Sequence, residues 1–364
     1  MVKTLSALKS MFVGKTTTLS IPIMDGPFKP NNLLESATVV VEREGLEDLA
    51  VAEDGALLAA CGQGVLRFDP SGECTQIAEF DRKVTALAVL SDGAIAVGLG
   101  DAVQIADGNG VFRTIEIENQ KLVAVNALQA DGHGSVLISD GSLVHAYDAW
   151  SHDLLGKGRT GRLFSYKRST SSSTVLASGL EYSFGACADD RGRALVSESW
   201  RHRVSAVAGG SVEHLATALP GYPSRISRAR GGGFWLCLFA CRTQLVEFVL
   251  KEDDYREDML RTIRPEHWIA PALSSGDDFL EPLQGGGVKQ MGVLKPWAPP
   301  RSYGLVVRVD ANFAPRHSFH SRVGGKHHGV VAAVQRGDDL FVLSKGASRV
   351  LKLSAGQMGK ETAP

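Results

Sequence analysis

The sequence predicts an all-β fold, a six-bladed β-propeller built from four-stranded blades. Three observations support this prediction: a strand–turn–strand pattern occurs six times, the first two copies have blade-like spacing, and glycine is abundant. Glycine accounts for 40 of the 364 residues, above the roughly 7% of an average protein, and no collagen-like period accompanies it. A chain rich in strands and tight turns explains such an excess.

Each copy of the pattern contains an apolar strand, a turn with Gly or Asp, a second apolar strand, a short gap and a third strand. The turns Asp54-Gly55 and Asp92-Gly93 are 38 residues apart, close to the roughly 40 residues of a propeller blade. Asp-Gly favours a tight hairpin because the central residues of a type I′ turn have positive φ. The copies are LAVAEDGALLAACGQGVLRFD from Leu49, LAVLSDGAIAVGLGDAVQIAD from Leu87, LQADGHGSVLISDGSLVHAYD from Leu128, ACADDRGRALVSESWRHRVSAV from Ala186, ISRARGGGFWLCLFACRTQLVEFV from Ile226 and VAAVQRGDDLFVLSKGASRVLKL from Val331.

Charge and cysteine content exclude several classes of partner. The 39 basic and 40 acidic residues leave a net charge of −1, so no overall field attracts nucleic acid or an anionic membrane surface. The five cysteines are scattered without zinc-ligand spacing, which predicts free thiols in a reducing compartment. No apolar run approaches the roughly 18 residues that suggest a membrane span. We therefore expect a soluble cytoplasmic protein with no nucleic-acid partner.

The repeats place a single domain in residues 25–355, between a leader of residues 1–24 and a tail of residues 356–364. Lys9 and Lys15 interrupt the leader before an apolar run of adequate length develops. This pattern argues against a secretory signal.

Two insertions interrupt the regular array, at about residues 141–161 and 251–301. The second begins with a charged, helical pattern and continues with a stretch rich in Pro, Gly and Trp. Long excursions from a rigid scaffold are commonly functional loops. We expect the second insertion to form a lid over one end of the central channel; the alternative is a structural element that covers a blade edge.

Three stretches, residues 25–51, 160–204 and 219–238, carry recognisable motifs. The third contains LPGYPSRI, which is similar to the pattern L-P-G-Y-P-D-N-I, and the second contains TGRLFSY, which is similar to T-G-R-L-x-x-Y. Together the stretches resemble the strictosidine synthase-like six-bladed propellers, in particular the branch of adipocyte plasma membrane-associated protein. The wider superfamily includes gluconolactonases, regucalcin and paraoxonases.

The resemblance implies that an N-terminal strand, here around Ala37 to Glu42, closes the ring beside the C-terminal strands. It also implies that Glu198 and Arg203 form a structural ion pair, because the matching V-A-E-T-x-x-x-R segment ties strands together in the relatives. Val331 lies near the position of the essential glutamate of the plant condensing enzyme. Without a carboxylate there, a Pictet–Spengler condensation is disfavoured.

In the hydrolytic relatives, oxygen ligands from several blades hold a divalent cation, usually calcium, at one mouth of the channel. Two of these positions match Glu47 and Asn126, whereas the others are occupied by Phe184, Ser224 and Arg225. Calcium takes about six to eight oxygen ligands, but an aromatic ring offers none and a guanidinium repels the cation. We therefore expect no cofactor; calcium held by Glu47 and Asn126 is the lesser alternative.

The substituted positions predict a site for an anionic or polyhydroxylated small molecule. Asn126, Phe184 and Ser224 would line this site, with Arg225 as a bidentate clamp on a carboxylate. Arg242 and Gln244, which follow the apolar strand of the fifth blade, are further candidate binding residues. For each of them a surface or packing role is equally plausible.

Two residues are candidate catalytic groups. His328, just before an inner strand, is a candidate general base because imidazole titrates near neutrality; the alternative is a solvated histidine. Glu47 is a candidate acid or base if burial raises its pKa; the alternative is an ion pair with Arg225.

Two functions remain open at this point. The first is a hydrolase that acts on a lactone or ester, possibly sugar-derived, at the channel mouth. The second is a non-catalytic propeller that binds a small metabolite or a protein. Fold alone does not separate them, because function depends on the site. The sequence gives no indication of the oligomeric state.

Overall fold

Six four-stranded antiparallel sheets form the protein in the computed structural model, which describes residues 21–118, 120–276, 281 and 301–358. This confirms the six-bladed propeller with four-stranded blades. The strands of blades 1 to 3 are β2 (Leu46–Val51), β3 (Leu57–Cys61), β4 (Gly64–Phe68) and β5 (Cys74–Glu79); β6 (Ala86–Val89), β7 (Ile95–Gly98), β8 (Val103–Ala106) and β9 (Phe112–Thr114); and β10 (Val125–Ala130), β11 (Ser135–Asp140), β12 (Gly161–Lys167) and β13 (Ser172–Leu180).

Blades 4 and 5 also use consecutive strands, whereas blade 6 combines both ends of the propeller sequence. The strands of these blades are β14 (Ser183–Ala188), β15 (Ala194–Glu198), β16 (Arg203–Ala208) and β17 (Ser211–Ala216); β18 (Gly221–Arg228), β19 (Phe234–Cys241), β20 (Gly304–Val309) and β21 (Pro315–Ser321); and β22 (Val330–Arg336), β23 (Asp339–Ser344), β24 (Arg349–Leu353) and β1 (Thr38–Glu42).

The ring is closed by β1, which pairs antiparallel with β24, the third strand of blade 6. Thr38 lies opposite Lys352, and the guanidinium of Arg349 lies 2.7 Å from the carboxylate of Glu42. The N-terminal strand therefore closes the ring beside the C-terminal strands, as the resemblance implied. The ion pair implied between Glu198 and Arg203 is also present, at 2.5 Å.

Local turn chemistry accounts for the regular blades. At the first hairpin, Gly55 has φ +84°, and the Asp54 carboxylate accepts a hydrogen bond from the amide of Ala56 at 3.0 Å. The side chain of Asp54 thus mimics a backbone turn while glycine adopts the left-handed conformation at no steric cost.

Both insertions lie between the second and third strands of their blades. The third and fifth copies of the repeat pattern end in SLVHAYD and TQLVEFV, which would make residues 142–148 and 243–249 third strands. This was wrong, because the third strands are β12 and β20, which follow the insertions. The second of these segments instead begins a helix, which Thr243 caps by accepting a hydrogen bond from the amide of Val246.

Three of the four α-helices in the described residues lie in or directly before the insertions. The α-helices are α1 (Trp150–Leu155), α2 (Gln244–Val249), α3 (Asp253–Thr262) and α4 (Ala355–Met358), and the 3-10 helices are Gly26–Phe28, Leu33–Ser36, Tyr147–Ala149, Arg168–Thr170, Pro265–His267 and Lys345–Ala347. No helix in the described ranges is long and apolar enough to cross a membrane. Most of the predicted leader, residues 277–280 and 282–300 of the second insertion, and the end of the predicted tail lie outside the described residues.

The two insertions pack against each other through a small apolar core of their own. Leu155 of α1 contacts a cluster formed by Val249, Met259, Trp268 and Ala270 of the second insertion. Trp268 is fully buried, and its indole N–H donates to the carbonyl of Ile263 at 2.9 Å. The insertions therefore form one unit, which we call the cap.

Candidate functional site

The innermost strands of five blades carry register shifts near the end at which they begin. A β-bulge leaves a residue without a ladder partner and re-aims its side chain and carbonyl. The residues within these irregular segments include most of the candidates that the resemblance picked out. They are Glu47 in β2, Asn126 in β10, Phe184 in β14, Ser224 and Arg225 in β18, and Val331 in β22.

Arg225 lies at the centre of the channel and is only 7% exposed. Its guanidinium donates to the main-chain carbonyls of Glu47 at 3.1 Å, Thr85 at 2.8 Å and Asn126 at 2.6 Å. Its Nε lies 3.1 Å from the carboxylate of Asp48. These contacts use the donors that a substrate clamp would need, so the predicted role of Arg225 in binding a ligand carboxylate is not supported.

Asp48 is the buried counter-charge of Arg225. Its carboxylate accepts hydrogen bonds from the amides of Leu49 at 2.8 Å and Leu87 at 2.9 Å. Burial raises the pKa of Asp48 to about 6, although the Arg225 guanidinium and both amides act in the opposite direction. The predicted pairing of Arg225 with the Glu47 side chain is wrong, because the adjacent Asp48 takes that position.

Glu47 is the hub of a polar cluster at the channel mouth. Its Oε2 accepts a hydrogen bond from the Tyr147 hydroxyl at 2.8 Å and forms an ion pair with the Lys345 ammonium. Lys83 lies 3.6 Å from Oε1 and pairs with Asp148 of the cap at 2.8 Å. Glu47 is therefore paired with two lysines, one on each side of the carboxylate.

Tyr147 and Lys345 contact each other as well as Glu47. The Lys345 ammonium lies 3.3 Å from the Tyr147 hydroxyl and 4.8 Å from the centre of the tyrosine ring. Burial, reinforced by the Glu47 carboxylate, raises the pKa of Tyr147 well above its usual value. The phenol thus remains a hydrogen-bond donor at neutral pH.

An aromatic cavity with about 320 Å³ of empty space opens beside this cluster, which we call the mouth cavity. Part of this space is open to solvent, and the enclosed room is only about 20 Å³, so a ligand larger than water would have to displace lining side chains. Six aromatic side chains dominate the lining, and Lys345 supplies its charged group. The lining residues are Tyr147, Trp150, Tyr182, Phe184, Trp200, Phe239, Leu273, Val331 and Lys345.

Both parts of the cap contribute to the mouth cavity. Trp150 of α1 packs edge-on against Phe239, with ring centres 5.4 Å apart, and Leu273 comes from the second insertion. The Trp200 ring stacks on Tyr182 at 4.5 Å, and its indole N–H donates to Asp153 of α1 at 2.8 Å. The cap therefore covers this end of the channel.

A second cavity, with about 310 Å³ of empty space, lies farther along the inner strands. Arg225 and Asp48 line it together with Ser227, whereas Phe184 belongs to the mouth cavity and lies 5.4 Å from the Arg225 guanidinium. The buried Arg225–Asp48 pair therefore separates two cavities along the channel.

Asn126 and Ser224 lie near the channel, but their side chains make structural hydrogen bonds. The Asn126 amide donates to the carbonyl of Ser183 at 2.8 Å and accepts from the Tyr182 hydroxyl at 3.4 Å. The Ser224 hydroxyl lies 3.2 Å from the carbonyl of Cys237. Both side chains are fully buried, so neither is placed to bind a ligand as predicted.

His328 is buried and does not line the mouth cavity. Its Nε2 lies 2.9 Å from the carbonyl of Arg322, so Nε2 donates and Nδ1 accepts from the Ser302 hydroxyl at 2.7 Å. Burial lowers the pKa of His328, against the opposing effect of that carbonyl. The pair with Ser302 resembles a nucleophile–base dyad, but both groups are shielded from the cavity. The predicted role of His328 as general base is therefore not supported.

Arg242 and Gln244 lie at the root of the cap. The Arg242 guanidinium pairs with Glu247 of α2 at 2.8 Å, and Gln244 is the exposed first residue of the same helix. His202 Nε2 lies 3.4 Å from the Glu247 carboxylate. These residues connect the cap to the propeller, and neither predicted binding residue lines the mouth cavity.

Two residues that complete the polar cluster were not predicted from the sequence. Tyr147 lies in the first insertion, and Lys345 follows β23 of blade 6, so 198 residues separate them. The available signals were weak: an aromatic pair, Tyr147 and Trp150, in a short insertion, and a lysine directly after an inner hairpin. Neither signal indicates which residue of another blade lies beside it once the propeller closes.

The donor set does not fit the calcium ion implied by the hydrolytic relatives. Glu47 is paired with two lysines, and the Asn126 amide is committed to Ser183 and Tyr182. In the part of the chain that the structure describes, no group of three or more His, Cys, Asp or Glu side chains could hold a metal ion. A cation at the Glu47 position would have to displace Lys345.

The fold and this channel define a six-bladed β-propeller with a capped aromatic cavity and two paired cations, the buried Arg225 and the half-buried Lys345. The family described as Strictosidine synthase matches residues 126–207, and Strictosidine synthase-like, N-terminal, matches residues 26–67. These matches confirm the resemblance: residues 26–67 and 126–207 of this six-bladed propeller are similar to the strictosidine synthase-like proteins.

Curated relatives show the same resemblance. The chain is 28% identical over 187 residues to Protein STRICTOSIDINE SYNTHASE-LIKE 10 of Arabidopsis thaliana, a match that covers 46% of this chain and only 50% of that relative. It is 23% identical over 350 residues to the adipocyte plasma membrane-associated protein of Salmo salar, covering 86% of this chain and 75% of the fish protein.

Solved structures show similarity at the level of the fold. A gluconolactonase from Xanthomonas campestris aligns with a TM-score of 0.57 and 13% identity, covering 87% of this chain and 88% of that one. The calcium-binding protein regucalcin from Agrobacterium tumefaciens aligns with a TM-score of 0.55 and 12% identity, covering 87% and 92%.

Proposed function

We propose that this propeller is a small-molecule hydrolase that opens a lactone or ester at the channel mouth. The observation that carries the proposal is the cluster of Lys345, Tyr147 and Glu47 at the edge of the mouth cavity. The Lys345 ammonium and the Tyr147 hydroxyl oxygen lie at the edge of the cavity, and the Glu47 carboxylate behind them pairs with the ammonium and accepts the phenol hydrogen bond. In this proposal Tyr147 and Glu47 take the general-base role predicted for His328. Lys345 replaces Arg225 as the positively charged group that contacts the substrate.

The chemistry follows from the charges. The Lys345 ammonium polarises the carbonyl and stabilises the oxyanion of the tetrahedral intermediate, which is worth most in a site that excludes water. The attacking water transfers its proton to the Tyr147 oxygen as the phenol proton moves to Glu47. When the intermediate collapses, the C–O bond breaks and the leaving alkoxide takes a proton back by the same route. The products are a carboxylic acid and an alcohol, joined in one molecule when the substrate is a lactone.

The cavity lining supports a substrate with an apolar acyl portion. Aromatic rings bury apolar surface and stack on flat groups, whereas the polyhydroxylated substrate considered from the sequence would leave several hydroxyl groups without partners among these rings. An apolar lactone is therefore preferred over a sugar-derived one in this proposal.

The test is a panel of apolar and sugar-derived lactones and esters, assayed with purified protein in the presence and in the absence of calcium. The proposal expects saturable turnover of at least one apolar member, independent of calcium. Absence of turnover above background across the panel would reject it.

A second candidate function is non-catalytic binding of a small apolar metabolite. One observation favours it: both Glu47 oxygens already have lysine partners, and one also accepts from Tyr147. If the protein only binds such a metabolite, entry of the ligand should quench the fluorescence of Trp150 or Trp200, and no turnover should be detected. A small-molecule partner and a cytoplasmic location remain predictions under either function.

A further inference from the structure

Oxygen atoms from blades 1 to 3 surround the guanidinium of Arg225, which itself comes from blade 5. The main-chain carbonyls of Glu47 and Asn126 come from the register shifts in β2 and β10, and that of Thr85 comes from the residue before β6. Asp48 adds a carboxylate oxygen. Each of these contacts ends on oxygen, and together they connect four of the six blades.

The irregular strand register explains why the carbonyls of Glu47 and Asn126 are free to meet on the channel axis, and Thr85 lies just before β6, outside its ladder. A residue within a bulge is left out of the ladder, so its carbonyl does not bond to the neighbouring strand. A buried carbonyl without a partner destabilises the fold. Several such dipoles aimed at one point, with a carboxylate beside them, form an environment that stabilises a positive charge.

We propose that these oxygens form a cation site at the centre of the propeller, which the chain fills with its own Arg225 side chain. The positive charge at this point is attached covalently to β18. This explains the poor fit of a free ion to the wild-type chain. It also predicts that shortening Arg225 opens a site for an alkylguanidinium, or for a divalent cation such as calcium.

The chemistry of the vacated site sets the order of preference. An alkylguanidinium reproduces the planar set of donors that reaches the carbonyls of Glu47, Thr85 and Asn126. Calcium takes about six to eight oxygen ligands, so three carbonyls and one carboxylate would need water to complete the shell. We therefore expect the alkylguanidinium to restore more stability than calcium, and calcium more than magnesium, which demands a tighter geometry.

The experiment compares wild type with Arg225→Ala by thermal unfolding and calorimetric titration. Arg225→Ala should unfold at a lower temperature than wild type. Methylguanidinium at sub-denaturing concentration should raise the Tm of the variant but not that of wild type, and calcium should bind the variant at one site. A folded variant whose Tm responds to neither cation would overturn the proposal.

Arg162→Ala is a matched control. Arg162 is also buried, pairs with Asp140 and lies 4.9 Å from the Phe164 ring centre, but its partners all lie in and just before blade 3. No calcium binding is expected there, and equal calcium binding by both variants would contradict a central site. If Arg225→Ala does not fold, Arg225→Lys is compared with Arg225→Gln. The proposal requires the charged variant to have the higher Tm, and the reverse order rejects it.

Discussion

The ammonium of Lys345 forms an ion pair with Oε2 of Glu47 at the channel mouth. Glu47 matches the glutamate that holds a cation in the hydrolytic relatives, and here a lysine from blade 6 supplies the positive charge. Because the pair adjoins an aromatic cavity rather than open solvent, its electrostatic effect on a bound carbonyl is weakly screened. The pair therefore links the architecture of the propeller to the proposed chemistry.

Replacing Lys345 tests that link. Lys345→Met keeps the length and apolar stem of the side chain but removes the charge, so kcat for the best lactone or ester should fall about 100-fold, as expected for loss of an oxyanion-stabilising group. Lys83→Met is the matched control, because Lys83 also pairs with Glu47 but is 41% exposed and does not line the cavity. Its kcat should change less than about threefold. Equal losses in the two variants would contradict a specific role for Lys345.

Replacing His328 tests whether this residue acts in stability rather than in catalysis. His328→Ala removes the buried hydrogen bonds to Ser302 and Arg322 and should lower the unfolding free energy by about 2 kcal/mol, measured by urea denaturation. The kcat of the remaining folded enzyme should stay within about twofold of wild type, since no proton transfer in the proposed route uses this imidazole. Loss of turnover from a folded variant would restore His328 as the base.

The fold was predictable because its signals are local. Turns such as Asp54-Gly55 and the alternation of short apolar strands fix the hairpins wherever they occur in the chain. The error at residues 243–249 has a physical reason: a short apolar run fits a strand as well as a buried helix. The helix is favoured only by the hydrogen bond from the Val246 amide to the Thr243 side chain at its N-terminus and by the packing of Val249 in the core of the cap.

The site was predictable only in part. Resemblance placed Glu47, Phe184 and Arg225 around the channel because register shifts keep these positions at the mouth. It gave no information on Lys345 or Tyr147, since their contact depends on closing the ring and folding the first insertion over it. The polar partners of each group, which decide whether it is available to a substrate, are likewise long-range.

Gly346 tests how the cap rests on blade 6. A side chain at Gly346 would collide with the main-chain carbonyl of Leu273, whereas one at Gly356 would meet open space. Gly346→Ala should displace the Leu273 segment and destabilise the protein by about 2 kcal/mol. Hydrogen exchange around residues 268–273 should become faster, with Gly356→Ala unchanged. Exchange at the wild-type rate in Gly346→Ala would show that the cap does not depend on this contact.

Glu247 should make the attachment of the cap depend on pH. Burial by itself would raise the pKa of Glu247, but hydrogen bonds from His202 and Arg242 outweigh it and lower the pKa to about 2 from 4.5. A depressed carboxylate pKa stabilises the fold above the unfolded value, and this contribution is lost as pH falls from about 4.5 towards 2. Glu247→Gln should therefore cost about 2 kcal/mol at pH 7, by urea denaturation, and progressively less as the pH approaches 2.

The control for this prediction is Glu257→Gln on α3, whose carboxylate is 72% exposed and lies 3.8 Å from its nearest arginine. A carboxylate this exposed, at this distance from its partner, contributes little to stability, so the unfolding free energy of Glu257→Gln should follow that of wild type at every pH. If the difference between wild type and Glu247→Gln were the same at pH 7 and near pH 2, the carboxylate would not be the group that holds α2 on the propeller. A difference that disappears on acidification, together with faster hydrogen exchange in α2, would identify this ion pair as the acid-sensitive anchor of the cap.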